Sequence, residues 1–316
     1  MRDTPSLTSR HPEDSVVNDR NATRRDFLRL SACAAAAGGL SAAPHAQARL
    51  QAADKQTTGA LDIYTAIKGG GIAKTKSGMV ERLAAIQGLG FDGIEGGSPG
   101  IGDIPALRQA IGETGVPVHG VVDGVHWRQR LSAPDPAVRE QGRAALEQAL
   151  RDTHAIGGSS VLLVPGRVAG KDENHDHVWK RSIVEIRKVL PIASRLGIHI
   201  LIENVWNGFC EQADQMKDYI DEIDSPWVGV YFDIGNVRKF APPEDWIRTL
   251  GRRIVKLDVK DWGKKNGFCR LSEGDVDWKA VRVSLVEIGF TGWATREGRD
   301  KSLEDTSQLM KELLGL

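Results

Sequence analysis

Short runs of branched and aromatic residues alternate along the chain with longer segments whose apolar residues recur every three or four positions. The short runs are rich in valine, isoleucine and aromatic residues and are bounded by glycine, proline or polar residues, a pattern typical of β-strands. Eight such runs follow one another. We predict strands over residues 61–67, 91–95, 116–122, 160–165, 198–203, 227–233, 254–260 and 292–297.

The longer segments between the strands have the periodicity of amphipathic helices. Some of them begin directly after an acidic residue, Asp135 or Asp277, which is typical of a helix N-cap. Several end in a glycine, which is typical of a helix C-terminus. The clearest helical patterns cover residues 81–89, 137–156, 179–196 and 278–288.

Repeated strand–helix alternation predicts parallel βαβ units, and therefore an α/β protein. Eight units favour a closed (β/α)8 TIM barrel over an open doubly wound sheet, since such barrels typically take about 250 residues. No Gly-x-Gly-x-x-Gly follows the first strand, so the sequence gives no indication of a dinucleotide site. We expect a single barrel domain over residues 60–316.

The seventh predicted strand, IVKLDVKDW, carries charges on alternate positions. Strands of a barrel turn one face to the helices and the other to the lumen. We expect Val255, Leu257 and Val259 to face the helices, which places Lys256, Asp258 and Lys260 toward the lumen and the C-terminal mouth. A buried charge is costly unless it is paired or binds a metal, so this strand indicates a functional site.

The first 48 residues follow a different pattern. Paired Arg24 and Arg25 precede a short apolar run, and a small-x-small cleavage pattern ends at Ala48. This order resembles a twin-arginine export signal, although a basic tail with a chance arginine pair is the alternative. Export would place the mature protein in the periplasm or outside the cell, free of the membrane. We predict a signal peptide over 1–48 and a linker over 49–59.

Composition excludes one class of partner and leaves other properties open. Lys and Arg together number 42, as do Asp and Glu, so the chain lacks the basic excess of a nucleic-acid-binding protein. The predicted mature chain retains Cys210 and Cys269, which form no disulfide framework, and their pairing is not readable from the sequence. The oligomeric state is not readable either, and oligomerisation stays open.

Four consecutive predicted strands end in an acidic residue. They end at or near Glu203, Asp233, Asp258 and Glu297. Barrel enzymes place their chemistry at the C-terminal ends of the strands, where these four carboxylates would repel one another without a cation. Carboxylate oxygens suit the hard ions Mn²⁺ and Mg²⁺, so we predict a divalent metal site. The alternative is that each acid caps a helix or pairs with a lysine or arginine.

At this point the chain resembles the xylose-isomerase-like TIM barrels, which include sugar isomerases, ketose 3-epimerases and apurinic-site endonucleases. The resemblance covers most of the predicted mature chain. It rests on GFDGIE (90–95), ILIENV (200–205), YFDIGN (231–236), LDVKDW (257–262) and GDVDWKAV…GFTGWATRE (274–297). In the epimerase branch it implies that Glu203 and Glu297 bind the metal and act as the two acid/base groups. It also implies that Asp233 is a metal ligand.

Two positions depart from the family pattern. The seventh-strand ligand of the family is usually a histidine, and Asp258 stands at that position, which would make the site all-oxygen. Lys256 or Lys260 could instead neutralise Asp258, so the sequence leaves open whether Asp258 is a ligand or a salt-bridge partner. Asn236 stands where many relatives have a substrate-contacting histidine, and it can still hydrogen-bond a hydroxyl group.

Further residues near the strand ends are candidates for substrate binding. His126 and Trp127 lie in the loop after the third strand, where a surface loop that packs its tryptophan is the alternative. We predict substrate contacts for Lys68, Glu95, His126, Trp206, Asn236 and Lys260.

The predicted function is that of a metal-dependent sugar isomerase or epimerase. Such an enzyme removes a proton from the carbon beside a carbonyl group and returns it, with two carboxylates as acid and base. A lyase or hydrolase that cleaves 3-keto-glycosides by β-elimination is the alternative. A binding protein on an inactive barrel is a third hypothesis, suggested by Asp258. A nuclease is disfavoured because zinc endonucleases need histidines where this chain has acids.

Overall fold

Eight parallel strands form a closed barrel in the computed structural model, which describes residues 61–70 and 74–316. The predicted signal peptide and linker, 1–48 and 49–59, lie outside the described residues. The strand order around the barrel is β1-β10-β7-β6-β5-β4-β3-β2. These strands are β1 (Asp62–Gly70), β2 (Gly93–Ser98), β3 (Val118–Asp123), β4 (Ser160–Leu163), β5 (His199–Glu203), β6 (Val228–Asp233), β7 (Ile254–Val259) and β10 (Thr291–Arg296). The predicted (β/α)8 barrel is confirmed.

A two-stranded antiparallel hairpin follows β7 and is separate from the barrel sheet. It consists of β8 (Asp261–Gly263) and β9 (Gly267–Cys269). The sequence analysis assigns no strand to this segment, because three-residue strands carry too few positions to show an alternating pattern. The hairpin lies at the C-terminal end of β7, so it borders the barrel mouth.

Helices connect the strands, and two of them begin at the capping residues that the sequence predicts. The side chain of Asp135 accepts from the backbone N–H of Ala137, and Asp277 accepts from that of Ala280. The helices are α1 (Lys76–Gly88), α2 (Ile104–Thr114), α3 (Pro136–Ala155), α4 (His175–Leu196), α5 (Ala213–Ile223), α6 (Ile234–Val237), α7 (Pro243–Leu250), α8 (Trp278–Glu287) and α9 (Leu303–Leu314). Short 3₁₀ turns cover Lys171–Glu173 and Gly251–Arg253.

The main hydrophobic core lies between the barrel and the helices. Leu257 and Val259 belong to it, as predicted for this face of β7, and both are fully buried. Burial of apolar area contributes roughly 25 cal/mol per Å², so this layer supplies most of the stabilisation of the fold. The opposite face of each strand is therefore free to carry polar side chains into the lumen.

Val255 does not face the helices, and that part of the prediction for β7 is wrong. The pairing of β7 with β6 shifts between Ile254 and Lys256, so Val255 is an extra residue in the ladder. Its side chain packs against a small apolar cluster that contains Tyr231 and is separate from the main core. The irregular pairing breaks the strict alternation on which the prediction rests.

The lumen is filled below the mouth by a hydrogen-bonded polar network. Lys256 Nζ donates to the carbonyl oxygen of His119 at 2.8 Å and lies 2.7 Å from its Nδ1. Thr295 Oγ1 lies 3.1 Å from His119 Nε2 and accepts a hydrogen bond from the hydroxyl of Tyr231 at 2.8 Å. Burial lowers the pKa of Lys256 to about 7. Lys256 therefore hydrogen-bonds with His119 inside the lumen and does not neutralise Asp258.

The structure answers the question of cysteine pairing. Cys210 is buried, Cys269 is partly exposed, and both are free thiols. The described part of the chain also contains no helix with the length and apolar character that a membrane crossing requires.

Candidate metal centre and active site

Four carboxylates from four neighbouring strands meet at the C-terminal mouth of the barrel. Glu203 and Asp233 are the last residues of β5 and β6, Asp258 lies near the end of β7, and Glu297 follows β10 directly. Asp233 and Asp258 are opposite each other in the register of β6 and β7. One oxygen from each carboxylate lies within 4.8 Å of all the others. The structure thus brings together all four acids that the sequence analysis singles out.

Hydrogen bonds to the backbone hold Asp233 in place. Its Oδ1 accepts from the backbone N–H of Asn236 at 2.7 Å, which begins the short helix α6. The side chain of Asn204 pairs with the backbone of Asp233 on both sides, accepting from its N–H at 2.9 Å and donating to its carbonyl at 2.8 Å. Asn204 thereby fixes the ends of β5 and β6 relative to each other, a role that the sequence analysis missed.

Two lysines reach into the carboxylate cluster. Lys68 Nζ lies 2.8 Å from Asp258, 3.5 Å from Glu95 and 3.5 Å from Glu297. Lys260 Nζ lies 2.8 Å from Asp233 and 3.2 Å from Glu297. In this structure Asp258 is therefore paired with Lys68, and neither of the two lysines considered from the sequence is its partner. Periodicity within one strand carries no information about a contact between β1 and β7.

Burial and neighbouring charge shift the pKa values of these acids in different directions. Burial raises the pKa of Glu203 to about 8, although Lys68 opposes the shift. Burial also raises the pKa of Asp258 well above its usual value, again against the effect of Lys68. For Glu297, burial acts in the same direction, but the ammonium groups of Lys68 and Lys260 together outweigh it and lower its pKa.

The donor set fits a divalent cation. Oxygens bound to one such ion lie at most about 4–5 Å apart, because each metal–oxygen distance is about 2.0–2.6 Å. The four carboxylates meet that condition. Two ammonium groups face five acidic side chains, counting Glu95, so the acids outnumber the counter-charges available to them. Among the described residues, Asp258 Oδ1 and both oxygens of Glu95 have no hydrogen-bond partner, which leaves acceptors free.

The other predicted substrate contacts are also placed around the mouth. His126 is buried, its Nδ1 accepts from the backbone N–H of Val164 at 3.2 Å, and burial lowers its pKa to about 4, helped by the charge of Lys68. Trp206 donates its indole N–H to the carbonyl of Asn236 at 2.8 Å. Asn236 donates its own amide to the carbonyl of Asn204. Their contacts with substrate stay predictions, as do the metal-binding and catalytic roles of the four acids.

Asp123, a buried acid at the end of β3, is not among the residues predicted from the sequence. Its Oδ1 accepts from the backbone N–H of Val125 at 3.2 Å, and no lysine or arginine among the described residues forms an ion pair with it within 4 Å. It ends its strand as the four clustered acids do, so the same signal could have identified it. Burial raises the pKa of Asp123 to about 6.

Asp123→Asn is expected to stabilise the protein at pH 7 by up to roughly 3 kcal/mol. An unfolded aspartate titrates near pH 3.9, so between that value and about 6 the folded state binds more protons. The free energy of unfolding of the wild type therefore falls as pH rises through this window. Asparagine keeps the hydrogen bond without the charge. Urea denaturation at pH 4 and pH 7 measures the effect, with exposed Asp218→Asn as control. Equal stability of variant and wild type at pH 7 would contradict the assignment.

Fold and site together define a (β/α)8 barrel protein with a carboxylate cluster at the C-terminal mouth. Residues 83–315 match the family model of the xylose isomerase-like TIM barrel. The chain belongs to this family, and the resemblance noted in its sequence motifs is confirmed.

Several relatives and similar structures are epimerases of sugars. The chain is 26% identical over 241 residues to L-ribulose-5-phosphate 3-epimerase UlaE of Escherichia coli (strain K12 / DH10B), covering 72% of this chain and 84% of the relative. A D-allulose 3-epimerase from Methylomonas sp., solved with D-allulose, aligns with a TM-score of 0.63 at 18% identity over 77% of this chain and 86% of that chain. The 3-keto-D-glucoside 4-epimerase YcjR from E. coli aligns with a TM-score of 0.67 at 16% identity over 81% and 100%. At these identities the structural likeness supports the fold.

Proposed function

We propose that the protein is a metal-dependent sugar isomerase or epimerase that acts by proton transfer at the carbon beside a carbonyl group. The convergence of Glu203, Asp233, Asp258 and Glu297 within 4.8 Å at the barrel mouth carries this proposal. The sugar epimerases among its relatives support the same reaction class. Because all four donors are carboxylates, Mn²⁺ or Mg²⁺ is the proposed ion.

Glu203 and Glu297 are the proposed acid/base pair. They come from the fifth and the eighth barrel strand, so they approach a substrate in the mouth from different sides. One carboxylate takes the proton, the C–H electron pair becomes a C=C bond, and the carbonyl oxygen takes up the charge of the resulting enediolate. Return of a proton to the opposite face by the other carboxylate inverts that carbon. A divalent cation held by the four acids would supply Lewis-acid chemistry by polarising the carbonyl group.

Lys68, Lys260 and the buried shell around the acids have supporting roles in this proposal. The two ammonium groups offset part of the repulsion among the carboxylates, and they can donate hydrogen bonds to substrate hydroxyl oxygens. Asn204 and Asn236 hold the carboxylate of Asp233 and its loop in a fixed position. Such pre-organisation keeps the reacting groups within reach of the substrate.

Solvent deuterium should enter the substrate at the carbon beside its carbonyl group. We expect exchange with at least one member of a panel of free ketoses, ketose phosphates and 3-keto-glycosides, in protein loaded with Mn²⁺ or Mg²⁺. Mass spectrometry measures the label, and NMR of the products separates epimerisation from release of an aglycone, which a lyase would give. Protein treated with a chelator is the control. Absence of exchange with the whole panel in metal-loaded protein would contradict the proposal.

A further inference from the structure

Three aromatic side chains are exposed in the described part of the chain, and all three lie at the barrel mouth. They are Trp127, Trp206 and Phe268, exposed by 44%, 39% and 49%. Trp127 lies in the loop between β3 and α3, Trp206 between β5 and α5, and Phe268 in the hairpin after β7. The outer helices expose no aromatic side chain in the described residues. Exposed aromatic side chains that share one end of a barrel indicate a binding surface there.

The exposed aromatic residues come from opposite sides of the mouth. In the closed strand order, β3 and β7 are four strands apart among eight, which places them diametrically across the barrel. Trp127 therefore stands on the rim opposite Phe268. The carboxylate cluster belongs to the same half of the mouth as Phe268, because its acids come from β5, β6, β7 and β10. These acids form an acidic floor, and exposed aromatic side chains lie on the rim around it.

The ring of Phe268 is held close to the acidic floor. It stacks on Trp206 with ring centroids 4.6 Å apart and an interplanar angle of 26°. Trp262 contacts Trp206 edge-on at 6.1 Å. Lys260 Nζ lies 5.1 Å from the centroid of Phe268 and 3.2 Å from Glu297. The ammonium group of Lys260 therefore contacts both the ring of Phe268 and Glu297, one of the two proposed acid/base residues.

We infer that the substrate is a ring-bearing glycoside, whose second ring lies against Phe268 on the rim while its sugar carbonyl lies over the carboxylates. Aromatic side chains offer a flat apolar surface that a pyranose or aryl ring can cover. A phosphate group is a poorer fit to this floor, because the ammonium groups of Lys68 and Lys260 are already paired with acids, which outnumber them. This inference deepens the proposed function and depends on it for the nature of the reaction.

Binding of unreactive glycosides tests the inference without requiring catalysis. Isothermal titration in Mg²⁺ compares phenyl D-glucopyranoside with methyl D-glucopyranoside, both anomers of each, and with glucose 6-phosphate. We expect the phenyl glycoside to bind about five- to tenfold more tightly than the methyl glycoside. Phe268→Ala should remove most of that preference. Val283→Ala, at an exposed apolar position on α8, should leave it unchanged.

Other outcomes separate this inference from the proposed reaction. The Glu203→Gln/Glu297→Gln double variant should keep the preference for the phenyl glycoside, because the inferred aromatic contact does not require proton transfer. A failure of the proposed reaction would therefore not contradict the aromatic contact. Tighter binding of glucose 6-phosphate, or an unchanged preference in Phe268→Ala, would overturn the inferred contact with Phe268. A change of oligomeric state in Phe268→Ala, measured by light scattering with unchanged ligand preference, would assign the aromatic surface to a second copy of the chain instead.

Discussion

Glu203→Gln and Glu297→Gln are each expected to lower turnover about a thousandfold. Glutamine keeps the volume of the side chain and its ability to accept a hydrogen bond, but it cannot take up the substrate proton at neutral pH. General acid–base catalysis by one positioned group typically contributes 10²–10⁴-fold, which sets the expected magnitude. Each change also removes one of the four clustered carboxylates, so metal affinity should decrease as well.

Isotope exchange distinguishes these two effects. With metal supplied in excess and its content verified, each single variant should still exchange the proton of one epimer, because the remaining carboxylate serves one face of the substrate. The two variants should therefore prefer opposite epimers as the substrate for exchange. Glu287→Gln, an exposed position at the end of α8, is the matched control and should retain full activity. Turnover within tenfold of wild type in both site variants would contradict the two-base assignment.

Lys68→Met is expected to destabilise the metal-free protein by roughly 3–5 kcal/mol and to tighten metal binding at least about tenfold. Asp258 is fully buried and its nearest counter-charge is Lys68 at 2.8 Å. Removing one partner of a buried ion pair leaves an uncompensated charge, which costs this amount. A bound dication would replace the missing charge. The loss of stability should therefore be largely restored by Mg²⁺ or Mn²⁺, since a ligand that binds the folded state stabilises it.

Urea denaturation with chelator and with Mg²⁺, together with titration calorimetry, measures both effects. Lys217→Met on α5 is the control, because its partner Asp214 is exposed and such surface pairs contribute less than about 1 kcal/mol. If the variant is as stable as the wild type without metal and binds metal no more tightly, Asp258 is not held by Lys68 in the way that the structure shows.

The fold and the main acids of the site could be predicted because both depend on local patterns. Alternation of strand and helix is visible within each segment, and parallel strands bring their carboxyl ends to one mouth. Asp233 and Asp258 illustrate this, since each ends a strand and the register places them side by side. The convergence of the acids therefore needed no knowledge of distant contacts.

The contacts that the sequence could not predict are those between distant segments or at irregular positions. Lys68 and Asp258 are 190 residues apart, and only the closed barrel brings their side chains together. Val255 turned inward because of a register shift that no alternating pattern records. Phe268 lies in a hairpin whose strands have three residues each, too short for a period to be read.

The first strand completes the barrel and the site at the same time. β1 pairs with both β2 and β10, and its Lys68 supplies the counter-charge of Asp258. The segment that matches the family model begins only at residue 83, after this strand. During synthesis β1 leaves the ribosome long before β7 and β10. β1 therefore cannot pair with β10 until the C-terminal part of the chain has been made. The four carboxylates therefore come together only when ribosomal synthesis of the domain is complete, so a partly made chain lacks the proposed metal site.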